Sequence, residues 1–345
     1  MITFHNALHQ GHAPVHEFFR GERVPCFEKP ARADFVEARL RERGHELREA
    51  TEDCSEALNQ VHSARYLRFL QTAWQQWLAL HQANGGVQPF PSVWPVRTLR
   101  SDIEPDNFVA RLGLYSMDNG TPMAEGTWAA AKAGADAAAS AAAFVAGGAR
   151  VAFCNTRPPG HHAGPDFMGG YCFLNNAAVA AQTLRLRGFG KVAVLDVDYH
   201  HGNGTQSIFY GRSDVFFVSI HGDPRTEYPF YLGHADETGE GAGTGFNLNL
   251  PLPAGTTARE WFATLEQACA RIGDFGAEGL VVSLGLDTFA GDPISRFKLA
   301  SADFVTLGQR LSQMGLPTVF VLEGGYAASE LGLNAVNVLE GFEQA

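Results

Sequence analysis

Asp196, Asp198 and His200 occupy every second position of Leu-Asp-Val-Asp-Tyr-His-His-Gly-Asn-Gly, residues 195–204, directly after the apolar run 192–195. Strand side chains alternate between two faces. This spacing directs two carboxylates and an imidazole to one side, with Val197 and Tyr199 on the other. Such oxygen and nitrogen donors at a strand end suit a divalent ion such as Zn²⁺. Read alone, the same pattern also fits a polar strand end with satisfied hydrogen bonds. Three further apolar runs lead into reactive groups. Arg157-Pro-Pro-Gly-His161-His162 follows 151–154, Gly-Leu-Asp287 follows 280–284, and Glu323-Gly-Gly-Tyr326 follows 318–322. Adjacent histidines can take and give protons near neutral pH, although such a pair is also common in ordinary loops. A tyrosine behind two glycines is either a donor brought close to a ligand or an aromatic lid on a turn.

The elements that must position these groups follow from hydrophobic patterning. The runs 151–154, 192–195, 215–220, 280–284 and 318–322 are short and apolar, and helical stretches over 176–187, 258–275 and 301–314 lie between many of them. That alternation predicts a parallel sheet covered on both faces. The alanine-rich stretch 127–145 predicts a close-packed helix stopped by Gly147-Gly148. Residues 63–82 predict another, with Trp74, Trp77 and Leu78 on its buried side. Ligands of open α/β sheets bind beyond the carboxyl ends of the strands, so the four reactive segments should meet at one edge. No linker or repeat is evident, and one domain over 1–345 is expected, with long loops at 3–30, 84–126 and 221–244.

At 345 residues and 45% hydrophobic, the chain can bury a large core. A net charge of −11 argues against the basic face of a nucleic-acid binder. It suits steering of a small cation, and equally ordinary acidic solubility. The five cysteines include no C-x-x-C pair, which points to reduced thiols in a cytoplasmic protein rather than a disulfide framework or a cysteine zinc site. Residues 1–10 lack an apolar signal core, and no run is long enough to span a bilayer. His5, His9, His12 and His16 have metal-like helical spacing, but Gly11 and Pro14 interrupt such a helix and predict a loop.

Taken together, residues 157–164, the stretch Gly169-Gly-Tyr-Cys-Phe-Leu-Asn-Asn176, and residues 196–206, 284–293 and 323–326 resemble the zinc-dependent deacetylase superfamily, the histone deacetylases and their bacterial relatives. Gly21-Glu-Arg-Val-Pro-Cys-Phe-Glu28 and His221-Gly-Asp-Pro224 look like its acetylpolyamine amidohydrolase branch. The resemblance implies an α/β, arginase/deacetylase-like three-layer fold with a central, mostly parallel sheet flanked by helices. It implies Asp198, His200 and Asp287 as ligands of one catalytic Zn²⁺, and His161 and His162 as the tandem histidines, oriented by Asp196 and Asn203 respectively. An uncharged Asn203 leaves His162 better able to be neutral and accept a proton. His162 is therefore assigned as base and acid, with His161 as electrostatic partner. Tyr326 would donate to the scissile carbonyl.

The same resemblance makes Tyr171 and Tyr228 tunnel walls, and Glu17 and Glu104 acidic contacts for a distal ammonium. It implies a structural potassium at Asp196, Ser219 and Ile220, with backbone of Asp198 and His200, and a second monovalent site at the backbone near Phe209, Arg212 and Val215. His201 follows a ligand but faces away, and a structural hydrogen bond is expected. The reaction implied is deacetylation of an acetylated polyamine, by a homodimer whose loop 84–126 narrows the active-site mouth. A bacterial class II histone-deacetylase-like protein-lysine deacylase uses the same chemistry. A non-catalytic acyl-binding protein would be expected to lack one of the reactive groups. An arginase-like binuclear centre needs extra carboxylates where Gly202 and Phe289 stand.

Overall fold

The computed structural model describes the backbone of residues 1–345 and every side chain except that of Gln82. Strand β1 (Ile2–His5) opens the chain, and β2 (His16–Phe19) and β3 (Glu22–Pro25) form a separate antiparallel hairpin. Next come β4 (Glu46–Arg48), β5 (Val151–Asn155), β6 (Val192–Asp196), β7 (Val215–Gly222), β8 (Asn247–Leu252), β9 (Gly279–Leu284) and β10 (Thr318–Leu322). The main sheet runs β4-β1-β5-β10-β9-β6-β7-β8, and its neighbours pair in parallel.

Alternation along the strands builds two cores. Val192 and Val194 face one cluster, with Val281, Val319 and Ala-rich helix Thr127–Ala146; Ala193 and Leu195 face the other, with Val282, Phe320 and Trp261 of helix Ala258–Phe275. Apolar runs without polar interruption are what a sheet buried on both faces requires. Helix Asn176–Leu186 packs on the first side, and helices Ala31–Glu42, Asp303–Ser312 and Ala328–Gln344 on the second. Thr257 and Glu260 form a capping box that starts Ala258–Phe275, and Gly276 ends it in the left-handed conformation at φ 72.

Three expectations change. The segment 3–30 is not a continuous loop but carries β1 and the hairpin, and 84–126 holds a short helix, Phe108–Leu114. Helix Ala64–Leu80 buries Tyr66, Leu67, Phe69, Leu70 and Ala73, whereas Leu78 is exposed and Trp74 and Trp77 are only partly covered, because the helix's last turns project beyond the core. Strand β6 ends at Asp196, so Asp198 and His200 lie on the turn beyond it. No helix among the described residues is long and apolar enough to cross a membrane.

Candidate active site

Four adjacent strands, β5, β10, β9 and β6, present their carboxyl ends side by side. From them emerge, in that order, the tandem histidines, Tyr326, Asp287, and the Asp198–His200 turn. Asp198, His200 and Asp287 are buried, and their ligand atoms lie within 4.8 Å of one another. His200 Nδ1 stands 2.9 Å from Asp287 Oδ2 and 3.4 Å from Asp198 Oδ1. Burial and the neighbouring Asp198 carboxylate push the Asp287 carboxyl up to about 7. Two carboxylates this close are costly in the interior unless a cation joins them, and among the described residues no Lys or Arg pairs with either.

The backbone leaves room for such an ion. A Cβ on Gly324 would come within 2.5 Å of Asp198 Oδ2 and 2.8 Å of Asp287 Oδ2. One imidazole and two carboxylates, with the imidazole of His200 lining the adjacent cleft, fit a catalytic Zn²⁺ with three protein ligands. The turn is tied to the sheet by the Val197 N–H donating to the Ser283 carbonyl at 3.1 Å and the Gly222 N–H donating to the Tyr199 carbonyl at 2.8 Å, and side chains hold it further. Asp196 accepts from the Asp198 N–H at 3.1 Å, Asp287 from the Tyr199 N–H at 2.8 Å, and Asp198 from the Gly324 N–H at 2.8 Å.

The two histidines differ by their partners. His161 Nδ1 donates to Asp196 at 3.0 Å, and its other nitrogen is 3.8 Å from Asp198. Burial opposes its charge, but Asp198 and Asp196 overcome that and push its pKa up to about 10. His162 Nδ1 lies 2.6 Å from Asn203 Oδ1, an uncharged acceptor. Burial, then repulsion from His161 and His200, lowers its pKa well below the usual imidazole value. With Nδ1–H committed to Asn203, the free lone pair of His162 is on Nε2. Glu323 fixes this segment from below, accepting from the N–H groups of Gly160 at 2.6 Å and His161 at 3.1 Å.

Tyr326 is anchored by its N–H to Asp292 at 2.7 Å, and the Arg32 guanidinium sits 4.7 Å over its ring. Tyr171 packs edge-on against Tyr326 with centroids 5.6 Å apart, and Tyr228 against His162 at 5.0 Å. His162, Tyr171, His200, Tyr228 and Tyr326 all line one cleft of about 720 Å³. A cleft of that size, apolar with a few convergent polar groups, is suited to a small ligand.

Other predicted residues lie elsewhere. Glu17 is not an open rim acid: it is buried, accepts from the Tyr171 hydroxyl at 2.8 Å and from the Phe27 N–H at 3.1 Å, and sits behind the cleft wall. Burial pushes its carboxyl up to about 7 against the pull of those two hydrogen bonds. Glu104 lies 3.8 Å from Arg111 and does not line the cleft of its own chain. Asp196 pairs in register with Ser219, both fully buried, and Ser219 Oγ is 2.8 Å from His221 Nδ1. Ile220 follows on β7, and Phe209, Arg212 and Val215 lie near the start of that strand, where the Phe209 carbonyl accepts from the Arg212 N–H at 2.9 Å. His201 meets Gln206 at 3.0 Å and Asn249 at 3.1 Å on the far side of the turn. His12 is buried against Thr127, 2.9 Å away.

Sequence reasoning missed Glu28, Arg32 and the orienting roles of Asp292 and Glu323, and it read Asp118 only as an acid near Gly120 in the 84–126 loop. Only Glu28 and Arg32, spaced i, i+4 and paired at 3.1 Å, left a local signal.

Residues 26–342 match the histone deacetylase domain. The chain is 52% identical to acetylpolyamine amidohydrolase 2 of Pseudomonas aeruginosa, with 99% of each chain covered. It is 49% identical to acetylpolyamine amidohydrolase 1 of the same organism, over 100% of this chain and 99% of the relative. A crystal structure of acetylpolyamine aminohydrolase from Burkholderia pseudomallei superposes with a TM-score of 0.93 at 40% identity, covering 99% of this chain and 98% of the other.

Proposed function

The chain belongs to the histone deacetylase domain family, and from that premise we propose that it is a zinc-dependent amidohydrolase that removes acetate from acetylated polyamines. The observation that carries this reading is the meeting of the Asp198–His200–Asp287 cluster, His162 and Tyr326 in one cleft. The similarity to acetylpolyamine amidohydrolases along nearly the whole chain supports the substrate class.

Asp198, His200 and Asp287 would hold Zn²⁺, which when bound polarises a carbonyl and acidifies water. His162 Nε2 takes a proton from the attacking water and returns it to the leaving nitrogen. His161, tied to Asp196, supplies positive charge beside the reacting centre. The Tyr326 hydroxyl donates to the carbonyl oxygen as negative charge develops there. Tyr171 and Tyr228 enclose the methylene stem of the amine. Potassium at the buried Asp196–Ser219 pair would brace the ligand turn through oxygen donors, including the carbonyl of Ile220. Exposed Val93, Val96, Leu99 and Ile103 on the 84–126 segment support a homodimer, and five free cysteines suit a cytoplasmic setting.

The test compares kcat/KM for acetylputrescine, acetylcadaverine and acetylspermidine with that for an acetyl-lysine peptide on the zinc-loaded enzyme. Acetylpolyamines should be favoured by at least about tenfold, a difference of 1.4 kcal/mol in transition-state binding. Preference for the peptide would replace the polyamine reading with that of a protein-lysine deacylase.

A further inference from the structure

Asp118 lies in the wall of the cleft, and its carboxylate is filled by donors from three separate segments. Oδ1 accepts from the Gly120 N–H and the Thr121 hydroxyl, both at 3.0 Å. Oδ2 accepts from the Gly170 N–H at 2.8 Å and the Tyr228 hydroxyl at 2.7 Å. The Thr121 oxygen in turn accepts from the Tyr171 N–H at 3.0 Å. One carboxylate therefore reaches both tyrosines that enclose the cleft, one directly and one through Thr121.

The Tyr171 wall needs such a clamp. Its φ is +68, a left-handed conformation that costs a bulky residue about 1–2 kcal/mol. Gly170 beside it has φ +53, and any Cβ there would overlap the His162 ring. The backbone at 170–171 is thus pressed against a reactive histidine in a conformation that local preference does not supply. The two N–H groups that fix it are those taken by Asp118 and Thr121.

We propose that Asp118 is a positioning residue that sets the width of the amine tunnel by holding Tyr171 and Tyr228 in place. This rests on reading the cleft as a deacylase site. An ionised carboxylate has four acceptor positions, and all four donors here are protein groups. Asparagine would turn an NH₂ toward two of those donors, so the wall loosens while the bulk of the side chain is kept. A loosened wall admits wider amines without gaining any contact to slim ones.

The test uses zinc-loaded wild-type and Asp118→Asn enzymes. The readout is the ratio of kcat/KM for a slim linear substrate, acetylputrescine, to that for a bulky one, N-acetylbenzylamine. The ratio should fall at least tenfold in the variant, with zinc content unchanged. Tyr228→Phe, which removes one of the four hydrogen bonds, should give a smaller fall in the same direction. Thr121→Val, which leaves the carboxylate intact, should do likewise and serves if Asp118→Asn does not fold. Equal losses on both substrates in every folded variant would overturn the proposal, because a merely structural role lowers both together. Calorimetric binding of a straight-chain and a benzyl hydroxamic acid reads the same selectivity without turnover. A failure of the deacylase reading, seen as no wild-type hydrolysis, is therefore distinct from a failure of the Asp118 assignment.

Discussion

Replacing Glu28 by glutamine tests how the N-terminal segment is locked beneath the site. Glu28 is buried and takes hydrogen bonds from Arg157 at 2.8 and 2.6 Å and from Arg32 at 3.1 Å. Arg157 also donates to the His9 carbonyl at 2.5 Å, and Arg32 to the Gly325 carbonyl at 2.7 Å and to that of Glu323. One carboxylate thus joins the N-terminal segment to the strand ends that carry the tandem histidines and Tyr326. Burial alone would raise the Glu28 pKa, but attraction to Arg157 and Arg32 dominates and holds it at about 2, against an ordinary 4.5. At about 1.4 kcal/mol per pH unit, the difference corresponds to about 3 kcal/mol. The unfolded chain binds the extra proton first, so this stability is present above pH 4.5 and is lost as pH falls toward about 2. Breaking a buried pair costs about 3–5 kcal/mol where the remaining charges stay buried. Urea unfolding of zinc-loaded wild-type and Glu28→Gln proteins, followed by tryptophan fluorescence, should show a gap of that size at pH 7. The gap should shrink by about 2 kcal/mol by pH 3, because roughly 1.5 of the pH units that separate the two pKa values have then been crossed. A gap that is the same at both pH values would refute the argument that carboxylate charge holds these segments together.

Asp198→Ala, His200→Ala or Asp287→Ala should lower zinc occupancy and activity together, read by metal analysis of dialysed protein beside turnover; full zinc content and normal turnover in any one removes that residue from the ligand set. Tyr326→Phe should keep zinc and fold but lose about 10²–10³ in kcat, the usual loss for one oxyanion donor, whereas near-wild-type kcat would make Tyr326 part of the wall only. His162→Ala should reduce kcat more than His161→Ala, and the reverse order would exchange the roles of base and partner.

The fold was legible where burial imposes a pattern. Continuous apolar runs named five strands to within two residues, because a strand covered on both faces is mostly apolar, with polar residues such as Ser219 and Ser283 in its carboxyl half. The edge strands β4 and β8 and the first strand β1 escaped. Ile2-Thr-Phe-His, Glu46-Leu-Arg and Asn247-Leu-Asn-Leu-Pro-Leu carry polar residues on one or both faces, and their pairing is decided by the neighbouring strand. Helix Ala328–Gln344 was likewise invisible as a boundary, because its buried face is defined by contact with Asp303–Ser312 and Ala31–Glu42 rather than by any stop signal.

The site divides along the same physical line. Groups proposed to do the chemistry sit at strand ends, where glycines and the reactive residue are neighbours in sequence, so a motif carries them. Groups that orient the chemistry are polar residues whose partners come from far along the chain: Asp118 meets Tyr228 across 110 positions, and Glu28 meets Arg157 across 129. No local pattern encodes such a pair, and an isolated Asp or Glu reads as solvated surface. Glu17 shows the cost of that reading. Sequence places it at the rim as a charge for a distal ammonium, yet the fold buries it behind Tyr171 and raises its pKa to about 7. At neutral pH its charge is therefore partial and is spent on the Tyr171 hydroxyl. Two carboxylates do line the cleft: Asp118, which is committed to the walls, and Glu227, which lies 3.7 Å from Arg296. With Glu17 and Asp118 both engaged by protein donors, the proposed selectivity for a slim amine would draw on the shape the two tyrosines enforce rather than on either of these charges.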